Sequence, residues 1–96
     1  MPGKIAGQVV AVTESGNLVT DIQLDRLADV PRDDSVTIRC DEHETCGIFP
    51  ADHGQPAFTL LAIEGDSGAL ELAIVEESAR MMLGVAEGTP VEVRWE

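Results

Sequence analysis

Aromatic residues are scarce in this chain of 96 residues, which has two phenylalanines, one tryptophan and no tyrosine. A core without large rings has to be filled by valine, isoleucine, leucine and alanine, and hydrophobic residues make up 44% of the sequence. The length predicts one domain, residues 1–96. A chain this short buries only about two-thirds of the surface that its unfolded form exposes. Nearly every apolar position is therefore expected to contribute to the core.

Basic residues are also few, because six lysines and arginines stand against eighteen aspartates and glutamates, for a formal net charge of −12. Affinity for nucleic acid comes from clustered lysine and arginine, so nucleic acid is excluded as a partner, and anionic membrane surfaces are disfavoured for the same reason. No apolar run approaches the roughly 20 residues needed to cross a bilayer. Met1–Lys4 lacks the apolar segment of a signal peptide. We therefore expect a cytoplasmic protein.

Alternation of apolar and polar residues with a period of two dominates the sequence and predicts β-strands with one buried face. The segments with this pattern, or with an unbroken apolar run, are residues 5–12, 18–24, 36–41, 45–49, 57–63, 69–74 and 91–96. The segment 57–63 is almost wholly apolar, which is expected of a strand covered on both faces. Seven strands with short turns predict an all-β domain.

Helical patterns are short. Leu24–Asp29 can form one helical turn that ends before Pro31. Glu77–Leu83 is the one segment that predicts an α-helix, with Ala79, Met82 and Leu83 on a common face and Gly84 at the C-terminal cap. Closing the strands into a small barrel would remove the exposed sheet edges, whereas an open sandwich is the alternative.

Six short segments, in order, resemble a known family. They are Gly7–Val10, Gly16–Ile22, Gly65–Ala73, Ser78–Ala79, Leu83–Gly84 and Glu87–Val93. Together they are similar to the C-terminal domain of the S-adenosylmethionine hydroxide adenosyltransferases, relatives of the bacterial fluorinating and chlorinating enzymes. The resemblance implies a closed Greek-key barrel. It also implies that a separate N-terminal domain carries the catalytic aspartate, so we expect no catalysis from this chain by itself.

The resemblance also implies where an adenosine or S-adenosylmethionine pocket would lie. Its positions in this chain are Asn17, Asp66, Ser67, Val75 and Glu76. Several family side chains are replaced: Ser15 stands in place of an aromatic ring, and Val75 in place of an asparagine. Asp66 would also face the carboxylate of a methionine moiety, where like charges repel. The sequence therefore predicts a retained fold with a vestigial pocket and no bound cofactor.

A second cluster offers metal ligands: Cys40, His43, Cys46 and His53. Two thiolates and two imidazoles suit tetrahedral zinc, although five residues separate the two cysteines instead of the two to four of common zinc sites. The alternative is a plain hairpin tip in which Cys40 and Cys46 lie near one another as thiols, or as a cross-strand disulfide under oxidation. A nucleophile–base pair of Cys46 and His53 is a further hypothesis.

These observations favour a non-catalytic binding or assembly module that forms a homo-oligomer or binds a protein partner. Two alternatives stay open: an accessory subunit that completes a nucleoside pocket with a separate catalytic chain, and a small metal-binding protein built on the Cys40–Cys46 hairpin.

Overall fold

The structure is a computed structural model that describes residues 3–50, 54–65 and 67–95. Within these ranges the chain is mostly strand, as the alternation predicts. In chain order the strands are β1 (Gly3–Val12), β2 (Leu18–Gln23), β3 (Val36–Cys40), β4 (His43–Cys46), β5 (Ile48–Pro50), β6 (Leu60–Glu64), β7 (Ala69–Ile74) and β8 (Pro90–Trp95). A 3-10 turn covers Leu24–Leu27 and the helix α1 covers Ala79–Leu83.

The strands form one sheet in the order β4-β3-β8-β1-β2-β7-β6-β5. Its two outer strands, β4 and β5, are joined by Gly47 alone, which has a φ of 85° and bends the chain. Residues 43–50 therefore pair with β3 at one end and with β6 at the other. The hydroxyl of Thr45 on β4 donates to the carbonyl of Leu60 on β6 at 2.9 Å. The sheet thus rolls into a nearly closed barrel, which confirms the predicted fold class.

Gly47 also explains why the structure has eight strands where the sequence predicts seven. The predicted strand 45–49 is divided at Gly47 into β4 and β5, each with its own partner. The predicted strand 57–63 begins later, at Leu60, because Phe58 adopts a φ of 67° that an extended strand does not allow. The helical turn after β2 lies within the predicted range 24–29.

The barrel interior is filled by aliphatic side chains, as the lack of aromatic residues predicts. Its fully buried members include Val9, Leu18, Ile22, Leu27, Val36, Ile38, Leu70, Val91 and Val93. A second, smaller apolar cluster lies on the opposite face of β6 and β7 and contains Leu61, Ile63 and Ala73. Both faces of β6 are therefore covered, in agreement with its unbroken apolar sequence.

The helix α1 is shorter than predicted. Ser78 is its N-terminal cap, because the Ser78 hydroxyl accepts a hydrogen bond from the Met81 N–H at 3.3 Å. The helix ends at the predicted Gly84, whose φ is 68°. Glu77 precedes the cap and so lies outside the helix. Of the residues predicted to share a helix face, Ala79 is buried whereas Met82 is 56% exposed, because five residues form too short a helix to present a continuous buried face.

No helix in the described part of the chain is both long and apolar enough to span a bilayer.

Candidate functional site

A cleft of about 490 Å³ opens where the β1–β2 turn, the end of β7 and the start of α1 meet. Ser15 and Asn17 on the turn form one wall, and Val75, Glu76 and Ser78 between β7 and α1 form the other. Its volume lies within the range of ordinary small-molecule sites, about 300–1,000 Å³. The cleft is therefore a candidate binding site.

Gly16 holds the two walls of this cleft together. It is buried, with a φ of 90°, and a side chain at this position would overlap Ser78. Its carbonyl accepts a hydrogen bond from the Arg80 N–H at 3.0 Å. Within the turn, the Asn17 N–H donates to Thr13 Oγ1, also at 3.0 Å. The position of Asn17 relative to α1 therefore depends on an approach that only glycine permits.

Glu71 of β7 lies behind Asn17 and is only 4% exposed. Its Oε2 accepts a hydrogen bond from the Ser67 hydroxyl at 2.8 Å, and its Oε1 lies 3.5 Å from Asn17 Nδ2. Gly65 packs directly against Glu71, where any Cβ would overlap the carboxylate. A buried carboxylate is costly unless its oxygens accept hydrogen bonds. Ser67 and Asn17 provide these donors.

Val75 contributes an apolar surface to the cleft. Its N–H donates to the Thr59 carbonyl at 3.0 Å, and its carbonyl accepts from the Phe58 N–H at 2.9 Å. The N–H of Val75 is thus already used, and its half-buried side chain packs on the outer apolar cluster. Glu76, with a φ of 63°, follows as an exposed residue at the rim. The polar contacts of the cleft therefore come mainly from side chains, above all from Asn17.

The structure brings together three of the five predicted pocket residues, because Asn17, Val75 and Glu76 line the same cleft. Ser67 lies in the β6–β7 turn and is connected to the cleft through its hydrogen bond to Glu71. Asp66 lies outside the described residues.

Sequence reasoning missed Glu71 and Ser78. Alternation places Glu71 on one face of β7, but it does not reveal that this face is also buried. A signal that could have identified Glu71 is Gly65, because the missing side chain leaves the space that the carboxylate occupies. Ser78 has the sequence signature of a helix cap three residues before Met81.

The two cysteines lie on opposite faces of the β3–β4 hairpin. Cys40 is buried and pairs with His43 in the strand register, whereas Cys46 is exposed and pairs with Thr37. Both are free thiols. Burial raises the pKa of the Cys40 thiol, and the neighbouring carboxylate of Asp41 adds to the rise. The register explains why the cysteines do not meet at the tip.

The imidazole of His43 is half-buried, with Nε2 3.2 Å from the Leu83 carbonyl at the end of α1. No group of three metal-ligating side chains occurs within residues 3–50, 54–65 and 67–95. The fourth predicted ligand, His53, lies outside those ranges. Zinc binding that involves His53, and a pair of Cys46 with His53, therefore stay predictions.

A larger cleft of about 610 Å³ lies on the outer face of β1, β8 and β3. It is lined by three of the six basic residues, Lys4, Arg39 and Arg94. Two of them form exposed ion pairs with Glu92, at 3.8 Å from Lys4 and 2.8 Å from Arg94. Exposed pairs of this kind are typical of a solvated strand surface and contribute little energy. We therefore favour the cleft at Asn17 as the functional site.

Comparison with known proteins identifies the family of the chain. The family model of the SAM hydroxide adenosyltransferase C-terminal domain matches residues 7–92. An uncharacterised conserved protein from Thermotoga maritima is similar in structure, with a TM-score of 0.78 and 31% identity over 94% of this chain and 35% of that protein. A conserved hypothetical protein from Thermus thermophilus has a TM-score of 0.72 and 24% identity over 92% of this chain and 34% of that protein.

No curated protein matches the chain. The chain spans about a third of the length of the solved structures that it matches. The resemblance found in the sequence segments is nevertheless confirmed, because the family model covers 86 of the 96 residues, from 7 to 92. The chain belongs to the SAM hydroxide adenosyltransferase C-terminal domain family.

Proposed function

We propose that the chain is a non-catalytic binding module that forms one wall of a nucleoside site and assembles with a second copy of itself to cover that wall. The observation that carries the proposal is the cleft in which Asn17, Val75 and Glu76 lie together. The resemblance implies a nucleoside pocket at these positions, which the sequence predicts to be vestigial. Because Asn17 and the apolar surface of Val75 nevertheless line one open cleft, we expect it to retain nucleoside binding. An amide beside an apolar surface suits a flat, polar-edged base.

The groups around the cleft support binding without chemistry. Ser15 and Ser78 offer hydroxyls, Asn17 offers an amide, and Glu76 and Glu77 are exposed acids. Activation of a nucleophile requires a base within hydrogen-bond distance of it. The described hydrogen bonds of the two serines instead serve the turn and the helix cap. The C-terminal domain is also the non-catalytic part of the family.

Exposed apolar side chains beside the cleft support assembly. Four large hydrophobic residues are exposed in the described part of the chain, and three belong to segments that border the cleft: Phe58 (68%), Met81 (83%) and Met82 (56%). The Phe58 N–H donates to the Val75 carbonyl, and both methionines are on α1. Adjacent exposed methionines favour a protein interface, because methionine adapts readily to a partner surface.

Calorimetry with adenosine and S-adenosylmethionine tests the binding half of the proposal. We expect saturable binding to the wild-type chain and a loss of at least about fivefold in affinity for Asn17→Ala, since one unsatisfied polar contact costs about 1–3 kcal/mol. Gln8→Ala, which removes an exposed amide on β1, is the matched control and should bind as the wild type does. Absence of binding at millimolar ligand would refute a nucleoside site.

Light scattering coupled to size-exclusion chromatography tests assembly. We expect the wild-type chain to form an oligomer that Met81→Glu dissociates, because a charge would be buried at the interface. Val10→Glu is the control, since Val10 is 46% exposed but lies on β1. If the wild-type chain is a monomer at all concentrations, the proposed self-assembly is wrong. Formation of a stable complex with a catalytic homologue instead would favour the accessory-subunit alternative.

A further inference from the structure

Glu71 is a buried carboxylate that forms no ion pair with any residue the structure describes. Among the described residues, the ion pairs join Lys4 and Arg94 to Glu92, and Arg32 to Glu64. In the described part of the chain, the side-chain hydrogen-bond partners of Glu71 are the Ser67 hydroxyl and the Asn17 amide. Burying a carboxylate that has no ion-pair partner costs free energy of desolvation, which its hydrogen bonds offset. The presence of an acid at this position therefore indicates a purpose other than stability.

The chemistry of the two side chains sets the orientation of the Asn17 amide. A carboxylate has only acceptor atoms, whereas an amide has one donor group and one acceptor. If Asn17 turned its Oδ1 toward Glu71, two acceptors would face each other. Asn17 must therefore direct Nδ2 toward Oε1, where it lies at 3.5 Å. Asn17 lines the cleft, and its remaining polar atom, Oδ1, is an acceptor that this arrangement leaves available to a ligand.

We propose that Glu71 is a positioning residue that fixes the Asn17 amide with its acceptor toward the cleft, so that the cleft selects bases that carry an amino group over bases that carry a carbonyl there. This inference rests on the proposed nucleoside binding. Ser67 holds the second carboxylate oxygen, and Gly65 leaves the space in which the carboxylate lies. The selectivity thus depends on a residue that does not itself line the cleft.

The ratio of affinities for adenosine and inosine measures this selectivity. Inosine carries a carbonyl where adenosine carries an amino group. We expect the wild-type chain to prefer adenosine by about 3- to 10-fold, the value of one hydrogen bond. Glu71→Gln keeps the shape but lets its own amide donate, so Asn17 can turn and the ratio should fall toward one. Glu87→Gln removes the same charge from an exposed turn and should retain the ratio. An unchanged ratio in Glu71→Gln would overturn the proposal.

A second measurement needs no ligand. Asn17 is the only asparagine in the chain, so its side-chain NH₂ signals can be identified by nuclear magnetic resonance after asparagine-specific ¹⁵N labelling. We expect these signals to shift in Glu71→Gln and to stay in place in Glu87→Gln. If the signals shift but no nucleoside binds, the proposed function fails while the positioning of Asn17 holds. If they do not shift, the positioning role is wrong.

Ser67→Ala serves as a second variant should Glu71→Gln fold poorly. It removes the hydrogen bond to Oε2 from an exposed turn residue and leaves the carboxylate itself in place. We expect a looser carboxylate, and therefore a smaller fall in the adenosine preference than Glu71→Gln causes. A preference identical to that of the wild-type chain, together with unmoved Asn17 signals, would count against the proposal.

Discussion

At the scale of single residues, the cleft depends on two glycines. Any other residue at either position would displace the neighbouring side chain. Gly16 contacts Ser78, and Gly65 contacts Glu71, each so closely that a Cβ would overlap its neighbour. Gly16 also has a φ of 90°, a conformation that L-residues rarely adopt. These glycines determine where Asn17 lies and whether Glu71 fits behind it. The geometry of the site therefore depends partly on positions where glycine has no side chain.

Gly16→Ala should destabilise the fold more than its backbone strain alone explains. Positive φ costs an alanine about 1–2 kcal/mol, and forcing a methyl group against packed atoms adds about 1–3 kcal/mol. We expect a loss of about 2–5 kcal/mol in the free energy of unfolding, measured by urea denaturation. Gly88→Ala is the control, because Gly88 has a φ of 93° with no atom near its Cβ position. Equal losses in the two variants would show that contact with Ser78 costs nothing.

At the scale of elements, much of the architecture could be predicted, because alternation identifies strands and a chain with few aromatics needs an aliphatic interior. The division of the predicted strand 45–49 into β4 and β5 could not be predicted, because a glycine such as Gly47 occurs both within alternating strands and at bends. The burial of Glu71 could not be predicted either. Alternation shows which residues share a face of a strand, but it does not show whether both faces are covered. The meeting of Asn17 with Val75 was predicted from family resemblance, since these residues are far apart in sequence and depend on the long-range pairing of β2 with β7.

Gly47→Ala tests the element that closes the barrel. Gly47 has a φ of 85°, and a Cβ there would meet neighbours at 3.4 Å or more, so strain is the main cost. We expect a loss of about 1–2 kcal/mol, together with faster amide hydrogen exchange in β4 and β5 than in β1 or β8. Gly68→Ala has the same φ in an open turn and is the matched control. Uniform acceleration across all strands would indicate that residues 43–50 do not open separately.

At the scale of the whole molecule, charge is distributed very unevenly. Eighteen acids and six bases leave a net charge of −12, and three of the bases are gathered on the outer face of β1, β8 and β3. The described ion pairs are exposed and few. Repulsion among acids should therefore outweigh the attraction within pairs, and the folded state should carry a penalty that salt can screen.

Raising the NaCl concentration from 10 to about 500 mM should increase the melting temperature, because the Debye length falls from about 30 Å to a few ångströms. If screening recovers about 1 kcal/mol, the rise is about 4–8 °C for a domain of this size. Differential scanning calorimetry measures it. The same titration near pH 4.2, the sequence isoelectric point, is the control and should show little change. A melting temperature that falls with salt at pH 7 would mean that ion pairs dominate.

Closure of the barrel by residues 43–50 also determines what an opened molecule exposes. Release of this one segment frees the edge of β3, which pairs in the antiparallel sense, and the edge of β6, which pairs in the parallel sense. Two molecules that open together can each accept the other's segment and restore the same hydrogen bonds between chains, which is domain swapping. Because one segment, residues 43–50, closes the barrel, its exchange between two molecules would produce an intertwined dimer.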